Sequence, residues 1–265
     1  MIRGQEKLCQ RVDRLTLDTM PRTLLLLGEY GSGKHLLTKY IGDKFQLEIE
    51  DISDILTLET IDMITTRVSP KIYLIEGSKL TPKNENVILK FLEEPLKNAF
   101  IVVTSESKQG IIPTVLNRCQ VWELSTYSVE LLRTFIDSQD EDKDILLKLA
   151  DTPGKIMEYK HYPIKDMLDL SRKIFNNMAR ANFANVLTLS RFVAFKNEKD
   201  KFDFNLFLDV LLEVSLDNCR LNFPNSIEIY KLTNALNNSK YTFNIDKKAL
   251  FENYLINLKL LSASG

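Results

Sequence analysis

The sequence predicts an α/β domain followed by an all-α region. Short apolar segments alternate with helical periodicity as far as Ser125, and beyond that residue the strand pattern ends. A glycine-rich loop, Gly28–Lys34, follows the first apolar segment. Buried strands that alternate with helices are typical of three layers, in which helices cover both faces of a parallel sheet. We therefore expect a three-layer α/β domain that carries the glycine-rich loop.

One amphipathic helix and five strands are predicted in this domain. Leu8, Val12 and Leu15 share one helix face, and the helix ends before Pro21. The predicted strands are short and apolar, as central strands of a parallel sheet are. They are Thr23–Leu27, Phe45–Ile49, Ile72–Ile75, Phe100–Thr104 and Gln120–Leu124. Trp122, on the last strand, is predicted to lie in the core.

The remainder of the chain is predicted to be helical. Residues 127–149 predict two short helices, and Asp151–Gly154 forms a break before another. From Ile164 onward the helical pattern continues, with apolar clusters at Phe204–Leu212 and Leu250–Leu261. These clusters favour packing against further subunits, and a self-contained bundle is the alternative. We predict three domains, at residues 1–125, 126–163 and 164–265.

Composition excludes several classes of protein. The chain has 265 residues and a net charge of −1, so no global basic field indicates nucleic acid. Cys9, Cys119 and Cys219 lack C-x-x-C spacing and predict neither a disulfide framework nor a zinc site. The first residues are polar and charged, and no apolar run approaches the ~18 residues of a membrane span. We expect a cytoplasmic protein that contacts no membrane.

The glycine-rich loop has the spacing G-x-x-x-x-G-K, between a strand and a helix. In such loops backbone N–H groups close around phosphate oxygens, and the lysine adds a positive charge. The predicted phosphate-binding residues are Gly28, Gly31, Ser32, Gly33 and Lys34. The next residue is normally Ser or Thr, whose hydroxyl ligates Mg²⁺, but here it is His35. The pattern therefore predicts a phosphate cradle with a poor metal site, and His35 is included in it without a metal assigned.

The strand Ile72–Ile75 leads into the second candidate position. Phosphate-loop hydrolases end this strand in an acidic pair that holds the metal and polarises the attacking water. Here the pair is Glu76 and Gly77, and glycine cannot act as a general base. Hydrolysis by this chain alone is therefore not expected. Binding of ATP or ADP without turnover, and of Mg²⁺ through Glu76, is left open.

Several motifs resemble one known family when they are taken in order. They are Gly4–Glu6 (GQE), Asn86–Pro95 (NVILKFLEEP), Ile112–Gln120 (IPTVLNRCQ), Thr152–Lys155 (TPGK) and Asn244–Leu255. Together they resemble the clamp-loader branch of the AAA+ superfamily, most closely its DNA polymerase III delta-prime subunits. The chain departs from the family at Asn117, where the family has Ser. Residues 36–70 contain no cysteine, so the four-cysteine module that bacterial relatives often carry there is missing and no zinc is implied.

The resemblance implies a domain plan and a set of site residues. It implies an AAA+ domain at 1–125, a helical lid at 126–163 and a helical collar for oligomerisation at 164–265. Arg118 would contact the ATP of a neighbouring subunit, while Thr104 and Lys155 would occupy the sensor positions. The residues themselves leave alternatives open: Arg118 paired with a surface carboxylate, Thr104 as a strand-end hydroxyl, and Lys155 as a solvated lysine.

The expected function is therefore that of a delta-prime-like clamp-loader subunit without ATPase activity of its own, accessory to a DNA polymerase holoenzyme. The resemblance implies as partners other subunits of a hetero-oligomeric ring, a sliding clamp and primer-template DNA. One alternative is a self-sufficient AAA+ ATPase, such as a helicase loader or repair motor with atypical metal ligands. Another is an interaction scaffold that binds no nucleotide. Hydrolysis by the isolated chain would separate the first alternative from the others.

Overall fold

The computed structural model divides the chain into two compact units. The first comprises residues 1–135 and 151–155, and the second comprises residues 136–150 and 156–265. The structure describes residues 1–80, 84–93, 98–137, 142–180, 182, 184, 185, 188, 202–239 and 246–263. The predicted lid at 126–163 is split between the two units, so the three-domain boundaries stay a prediction. Among the described helices, none combines the length and hydrophobicity needed to span a bilayer.

The first unit is an α/β sandwich, as predicted. A five-stranded parallel sheet has the strand order β2-β3-β4-β1-β5. Its strands are β1 (Thr23–Leu27), β2 (Glu48–Asp51), β3 (Lys71–Glu76), β4 (Ala99–Ser105) and β5 (Gln120–Glu123). Its helices are α1 (Glu6–Arg14), α2 (Lys34–Phe45), α3 (Leu58–Thr65), α4 (Glu85–Glu93), α5 (Pro113–Leu116) and α6 (Val129–Arg133).

Side chains that alternate along each strand fill two separate cores. On β1, Leu25 and Leu27 belong to one apolar cluster, while Leu24 and Leu26 belong to the other. Successive strand residues point to opposite faces, so a strand that is apolar at every position must be covered on both sides. All seven residues of β4 are buried. This is why the central strands have continuous apolar sequences. Trp122 lies in the second cluster, as predicted.

The predicted second strand was placed too early. Helix α2 continues to Phe45, and Gln46 ends it in the left-handed conformation with φ 54°. The N–H group of Gln46 donates to the carbonyl of Gly42, and strand β2 begins only at Glu48. Phe45 packs against the core and Leu47 is buried in it, so the apolar run spans the end of a helix and a turn. Burial alone does not distinguish these two structures from a strand.

The register of the sheet brings the predicted site residues to one edge. Thr104 on β4 lies opposite Glu76 on β3 and opposite Leu26 on β1. Leu27, at the end of β1, lies opposite Ser105. Since all five strands are parallel, their carboxyl ends meet at this edge, where α/β proteins bind ligands.

The second unit is helical. It contains α7 (Lys143–Leu149), most of α8 (Pro153–Tyr159), α9 (Ile164–Asn177), α10 (Phe204–Arg220), α11 (Ser226–Asn238) and α12 (Lys247–Ala263). Aromatic side chains form its centre: the ring of Phe251 lies 5.8 Å from both Phe207 and Tyr254. The hydroxyl of Tyr254 is hydrogen-bonded to that of Thr233, at 2.9 Å.

The two short helices predicted between residues 127 and 149 are present as α6 and α7. The apolar clusters predicted to exceed the needs of one bundle are largely used inside this unit. Phe207, Leu208 and Leu211 are fully buried, as are Leu255 and Leu258. For these residues the self-contained bundle is the better description. Asn244 and Ile245, at the start of the predicted last collar segment, lie outside the described residues.

Candidate functional site

A cleft of about 810 Å³ lies at the carboxyl edge of the sheet in the first unit. It collects most of the residues that the sequence singled out, from the glycine-rich loop, the end of β3 and the end of β4. Its lining includes Tyr30, Gly31, Gly33, Lys34, His35, Leu36, Glu76, Ser78, Thr104, Ser105, Glu106, Ser107 and Gly154. Gly28 and Ser32 are not part of this lining; Ser32 is buried, and a Cβ at Gly28 would lie 2.7 Å from its Oγ.

The backbone of the glycine-rich loop suits an anion. Gly31 and Gly33 have φ values of +75° and +103°, which side chains other than glycine adopt rarely. Gly33 caps the N-terminus of α2, and its neighbour Lys34 opens that helix. The first N–H groups of a helix have no partner within the helix, and the helix dipole favours negative charge there. The loop therefore fits phosphate oxygens.

Three loop carbonyls are held by side chains and backbone from the rest of the unit. The hydroxyl of Thr152 donates to the carbonyl of Tyr30 at 2.7 Å, and the N–H of Gly154 donates to that of Gly31 at 3.0 Å. The hydroxyl of Tyr127 donates to the carbonyl of Ser32 at 2.7 Å. These bonds hold the backbone of the loop in place.

Gly154 and Gly31 touch through their backbones. A Cβ on Gly31 would lie 2.7 Å from the Cα of Gly154 and from the Oγ1 of Thr152. From the sequence, Thr152 and Gly154 belong to the TPGK motif, but a role in the site was predicted for Lys155 alone. The sequence signal for this contact is a glycine in the first turn of a helix, because glycine has a low helix propensity and needs another reason to be there.

Lys34 turns toward its own loop. Its Nζ donates to the carbonyl of Gly28 at 2.6 Å and to that of Glu29 at 3.0 Å. Burial lowers the pKa of Lys34, and the nearby carboxylates of Glu106 and Glu29 oppose this shift without reversing it. The ammonium group lines the cleft while it holds the loop closed.

The residues in the metal position, His35 and Glu76, lie near each other and near Lys79. The Nε2 of His35 lies 3.9 Å from one carboxylate oxygen of Glu76, and the Nζ of Lys79 lies 3.6 Å from the other. Lys79 also donates to Asp54 at 2.8 Å. Within the described ranges, no group of three His, Cys, Asp or Glu residues is placed to hold a metal. A Mg²⁺ ion would meet an ammonium group here, so these residues fit it poorly.

Gly77 leaves no space for a catalytic acid. It is buried, and a Cβ at this position would lie 2.7 Å from the carbonyl oxygen of Thr104 and 2.5 Å from the Cδ1 of Ile111. Ile111 could rotate away, but the oxygen belongs to the backbone of β4. The position that normally carries the water-activating residue is thus closed to any side chain unless β3 and β4 shift.

The two predicted sensor residues differ in their placement. Thr104 is buried and lines the cleft. The Nζ of Lys155 pairs with Asp151 at 2.9 Å, and Lys155 does not line the cleft. Lys155 is thus a partly buried, ion-paired lysine outside the cleft lining, and its sensor role and both interpretations of Thr104 stay predictions.

Arg118 does not line this cleft. It lies between α5 and β5, where its Nη1 donates to the carbonyl of Thr114 at 2.9 Å and its Nη2 pairs with the carboxylate of Glu93. The hydroxyl of Thr23 donates to the backbone carbonyl of Arg118 at 2.7 Å. Within the chain the arginine is thus paired with a surface carboxylate, and its action on a neighbour stays a proposal. Glu94 and Pro95, which complete the predicted motif beside Glu93, lie outside the described residues.

Comparison with known proteins places the sequence similarity in part of the first unit. Residues 38–128 match the family described as DNA polymerase III, delta subunit. The DNA polymerase III subunit delta-prime of Haemophilus influenzae is 33% identical over 88 residues, and that of Bacillus subtilis is 28% identical over 89 residues. These alignments cover 32% and 33% of this chain, and each spans only 27% of the relative's length.

Two solved structures from Thermotoga maritima share the fold. A RuvB variant has a TM-score of 0.52 at 18% identity, covering 96% of this chain and 86% of that one. A DNA polymerase III gamma subunit-related protein has a TM-score of 0.52 at 16% identity, covering 98% and 99%. At such identities the likeness concerns the fold alone. The chain therefore shares the fold of these two structures, its residues 38–128 match the DNA polymerase III delta-subunit family, and over about a third of its length it resembles DNA polymerase III delta-prime subunits.

Proposed function

We propose that this chain is a non-hydrolysing subunit of the delta-prime type in a sliding-clamp loader, and that it supplies Arg118 to the ATP site of a neighbouring subunit. The observation that carries this proposal is the closed position at Gly77. A chain whose backbone leaves no space for a general base cannot activate water there, whatever its glycine-rich loop binds.

The cleft keeps the features that hold phosphates and lacks those that cut them. The glycine-rich loop has the backbone of an anion site, and Lys34 lies in it. Glu76, in the position of a metal ligand, has the Nε2 of His35 at 3.9 Å from one carboxylate oxygen and the Nζ of Lys79 at 3.6 Å from the other. ATP or ADP bound here would be held by the loop and by helix α2, with Mg²⁺ disfavoured. The proposal is compatible with either a bound nucleotide or an empty cleft.

Arg118 has the chemistry that a neighbour's ATP requires. The guanidinium group is planar and always charged, so two of its N–H groups can donate to two phosphate oxygens at once. Arg118 serves no purpose in its own cleft, which it does not line. Its side chain is one-third exposed, so part of it is accessible to another subunit. This supports action in trans.

The proposed partners are based on sequence similarity to subunits of DNA polymerase III. DNA polymerase III delta-prime subunits are the relatives in sequence. We therefore assign to this chain other clamp-loader subunits in a hetero-oligomeric ring and, through the assembled complex, a sliding clamp and primer-template DNA. The role would be clamp loading in DNA replication.

The test compares the isolated chain with its complex. The purified chain should release no phosphate from Mg²⁺-ATP above the background of a Lys34→Ala preparation. In the complex formed with a copurifying ATPase subunit, Arg118→Ala should lower turnover at the contacted site by on the order of 10³-fold. Arg118→Lys keeps the charge but not the planar fork, so it should restore little of this activity. Arg133→Ala, at an exposed arginine of the same unit, is the matched control.

Each alternative function has its own outcome. Mg²⁺-dependent turnover by the isolated chain would favour a self-sufficient ATPase and overturn the proposal. Unchanged turnover of the Arg118→Ala complex, together with a melting temperature that ATP does not raise, would favour an interaction scaffold.

A further inference from the structure

We propose that Glu93 is a positioning residue for Arg118. Its carboxylate holds the guanidinium group in the orientation in which that group meets the phosphates of a neighbouring subunit. This inference rests on the proposed function, because it concerns how the same arginine is presented. It adds a second residue to the site, on a helix that the proposed function does not use.

Both partners are anchored by the same apolar core. Glu93 is the last residue of α4, directly after Phe91 and Leu92, which are buried. Val115, on α5, belongs to the same cluster, and its carbonyl accepts the backbone N–H of Arg118 at 3.0 Å. The two backbones are therefore held at a set separation by packing, and the ion pair bridges them.

Arg118 is held at three points along its length. Thr23 bonds its backbone carbonyl, the carbonyl of Thr114 accepts from Nη1, and Glu93 pairs with Nη2. A long side chain with four rotatable bonds otherwise samples many conformations, and an arginine that is already ordered loses less freedom when it binds. The pair thus prepares the side chain for contact.

The pair leaves donors for a second acceptor. A guanidinium group has five N–H donors in a plane, and Glu93 and Thr114 each take one. The other three have no acceptor among the described residues. Arg118 can therefore contact phosphate oxygens while Glu93 still holds it, so Glu93 supports the contact instead of competing with it.

The size of the effect follows from exposure. The side chain of Glu93 is 51% exposed and that of Arg118 is 33% exposed. Ion pairs as accessible as this one contribute little, equivalent to about a two- to fivefold change in a rate or equilibrium constant. Removing Glu93 should therefore have a much smaller effect than removing Arg118, and added salt should screen the difference.

The experiment measures ATP turnover by the complex of this chain with its copurifying ATPase subunit. Glu93→Ala should lower kcat by about two- to fivefold and leave KM for Mg²⁺-ATP unchanged, because Arg118 acts on the transition state. Glu93→Gln keeps an acceptor oxygen and should restore part of the loss. The difference from wild type should shrink as salt rises from about 0.05 M to about 0.5 M.

A matched control removes a surface ion pair elsewhere. Glu48 pairs with Lys71 at 2.7 Å in the first unit and is 70% exposed, and Glu48→Ala should leave turnover unchanged. The melting temperatures of the Glu93 and Glu48 variants should agree with wild type. A fall in kcat without a fall in melting temperature then reflects the orientation of Arg118 and not damage to the fold.

The outcomes separate this inference from the proposed function. If Arg118→Ala lowers turnover but Glu93→Ala does not, or raises it, the positioning role is wrong and the proposed function stands. If Glu93→Ala lowers turnover and Glu93→Gln restores none of it at any salt concentration, the loss is not electrostatic and the inference also fails. If Arg118→Ala has no effect, both fail.

Discussion

Restoring the missing general base should not restore hydrolysis, because Gly77 has no space for a side chain. We consider Gly77→Ala first, since it adds only a Cβ. Alanine in place of glycine usually stabilises a protein by about 0.4–1 kcal/mol, because it restricts the unfolded chain. At this position the Cβ would lie 2.7 Å from the carbonyl oxygen of Thr104, well inside contact distance. Overpacking of this kind costs about 1–3 kcal/mol, so the expected change has the opposite sign.

Gly77→Glu should destabilise the protein further. Its Cβ would make the same contact with the carbonyl oxygen of Thr104, and the longer, charged side chain needs more space than alanine does. For Gly77→Ala the expected net loss of about 2 kcal/mol corresponds to a melting temperature lower by about 4–8 °C, measured by circular dichroism, and Gly77→Glu should melt at a lower temperature still. Ser78→Glu, one residue further along at an exposed position, is the control and should melt as wild type does.

Two results would refute this reasoning. A Gly77→Ala protein as stable as wild type would mean that the space exists. A Gly77→Glu protein that hydrolyses Mg²⁺-ATP would mean that the missing base was the only obstacle, in spite of His35 and Lys79. The second result would place the chain among ATPases disabled by a single substitution.

Two further predictions concern the glycine-rich loop and the thiol beside Arg118. Gly31→Ala should lower the free energy of unfolding, measured with urea, by about 1–3 kcal/mol more than Gly33→Ala does. Both glycines have a positive φ, so both alanines are strained. Only at Gly31 would the Cβ also collide, with Gly154 and Thr152. Equal losses would contradict the contact between these backbones. Burial raises the pKa of Cys119 from 9.0 to about 12, so the fraction of thiolate at pH 8 should be about 1000-fold smaller than for an unburied cysteine. Alkylation followed by peptide mass mapping should therefore find Cys119 unlabelled in the native protein and labelled in urea. Its labelling rate should rise with pH toward 12, and rapid native labelling at pH 8 would show that the thiol is accessible.

Much of the fold was predictable because the strands carry a local signal. A strand covered on both faces needs an apolar residue at every position, and four of the five predicted strands lie where the structure has them, within one residue at each end. The prediction of the second strand, at Phe45–Ile49, failed because Phe45 and Leu47 are apolar for another reason: they pack the end of α2 and a turn against the core. Periodicity over five residues does not distinguish these cases.

Most of the candidate site residues could also be predicted from the sequence. The glycine-rich loop, His35, Glu76 and Gly77 follow from motif spacing, because the chemistry of phosphate binding demands particular residue types in order. The structure brings Gly31, Gly33, Lys34, His35 and Glu76 together in the lining of one cleft, with Thr104. Neither Lys155 nor Arg118 joins them, since each side chain has a carboxylate partner in its own neighbourhood.

What the sequence by itself determined is the set of residue types: a glycine-rich loop suited to phosphates, a glycine at the end of a strand and an arginine in the segment Asn117–Cys119. Only the tertiary structure decided that the base has no space to return, that Gly154 rests on Gly31, and that Glu93 holds Arg118. The physical reason is the strand order β2-β3-β4-β1-β5, which places segments distant in sequence side by side. Local patterns report which face of a strand is buried, but the atoms that meet at the ends of strands depend on which strands are neighbours.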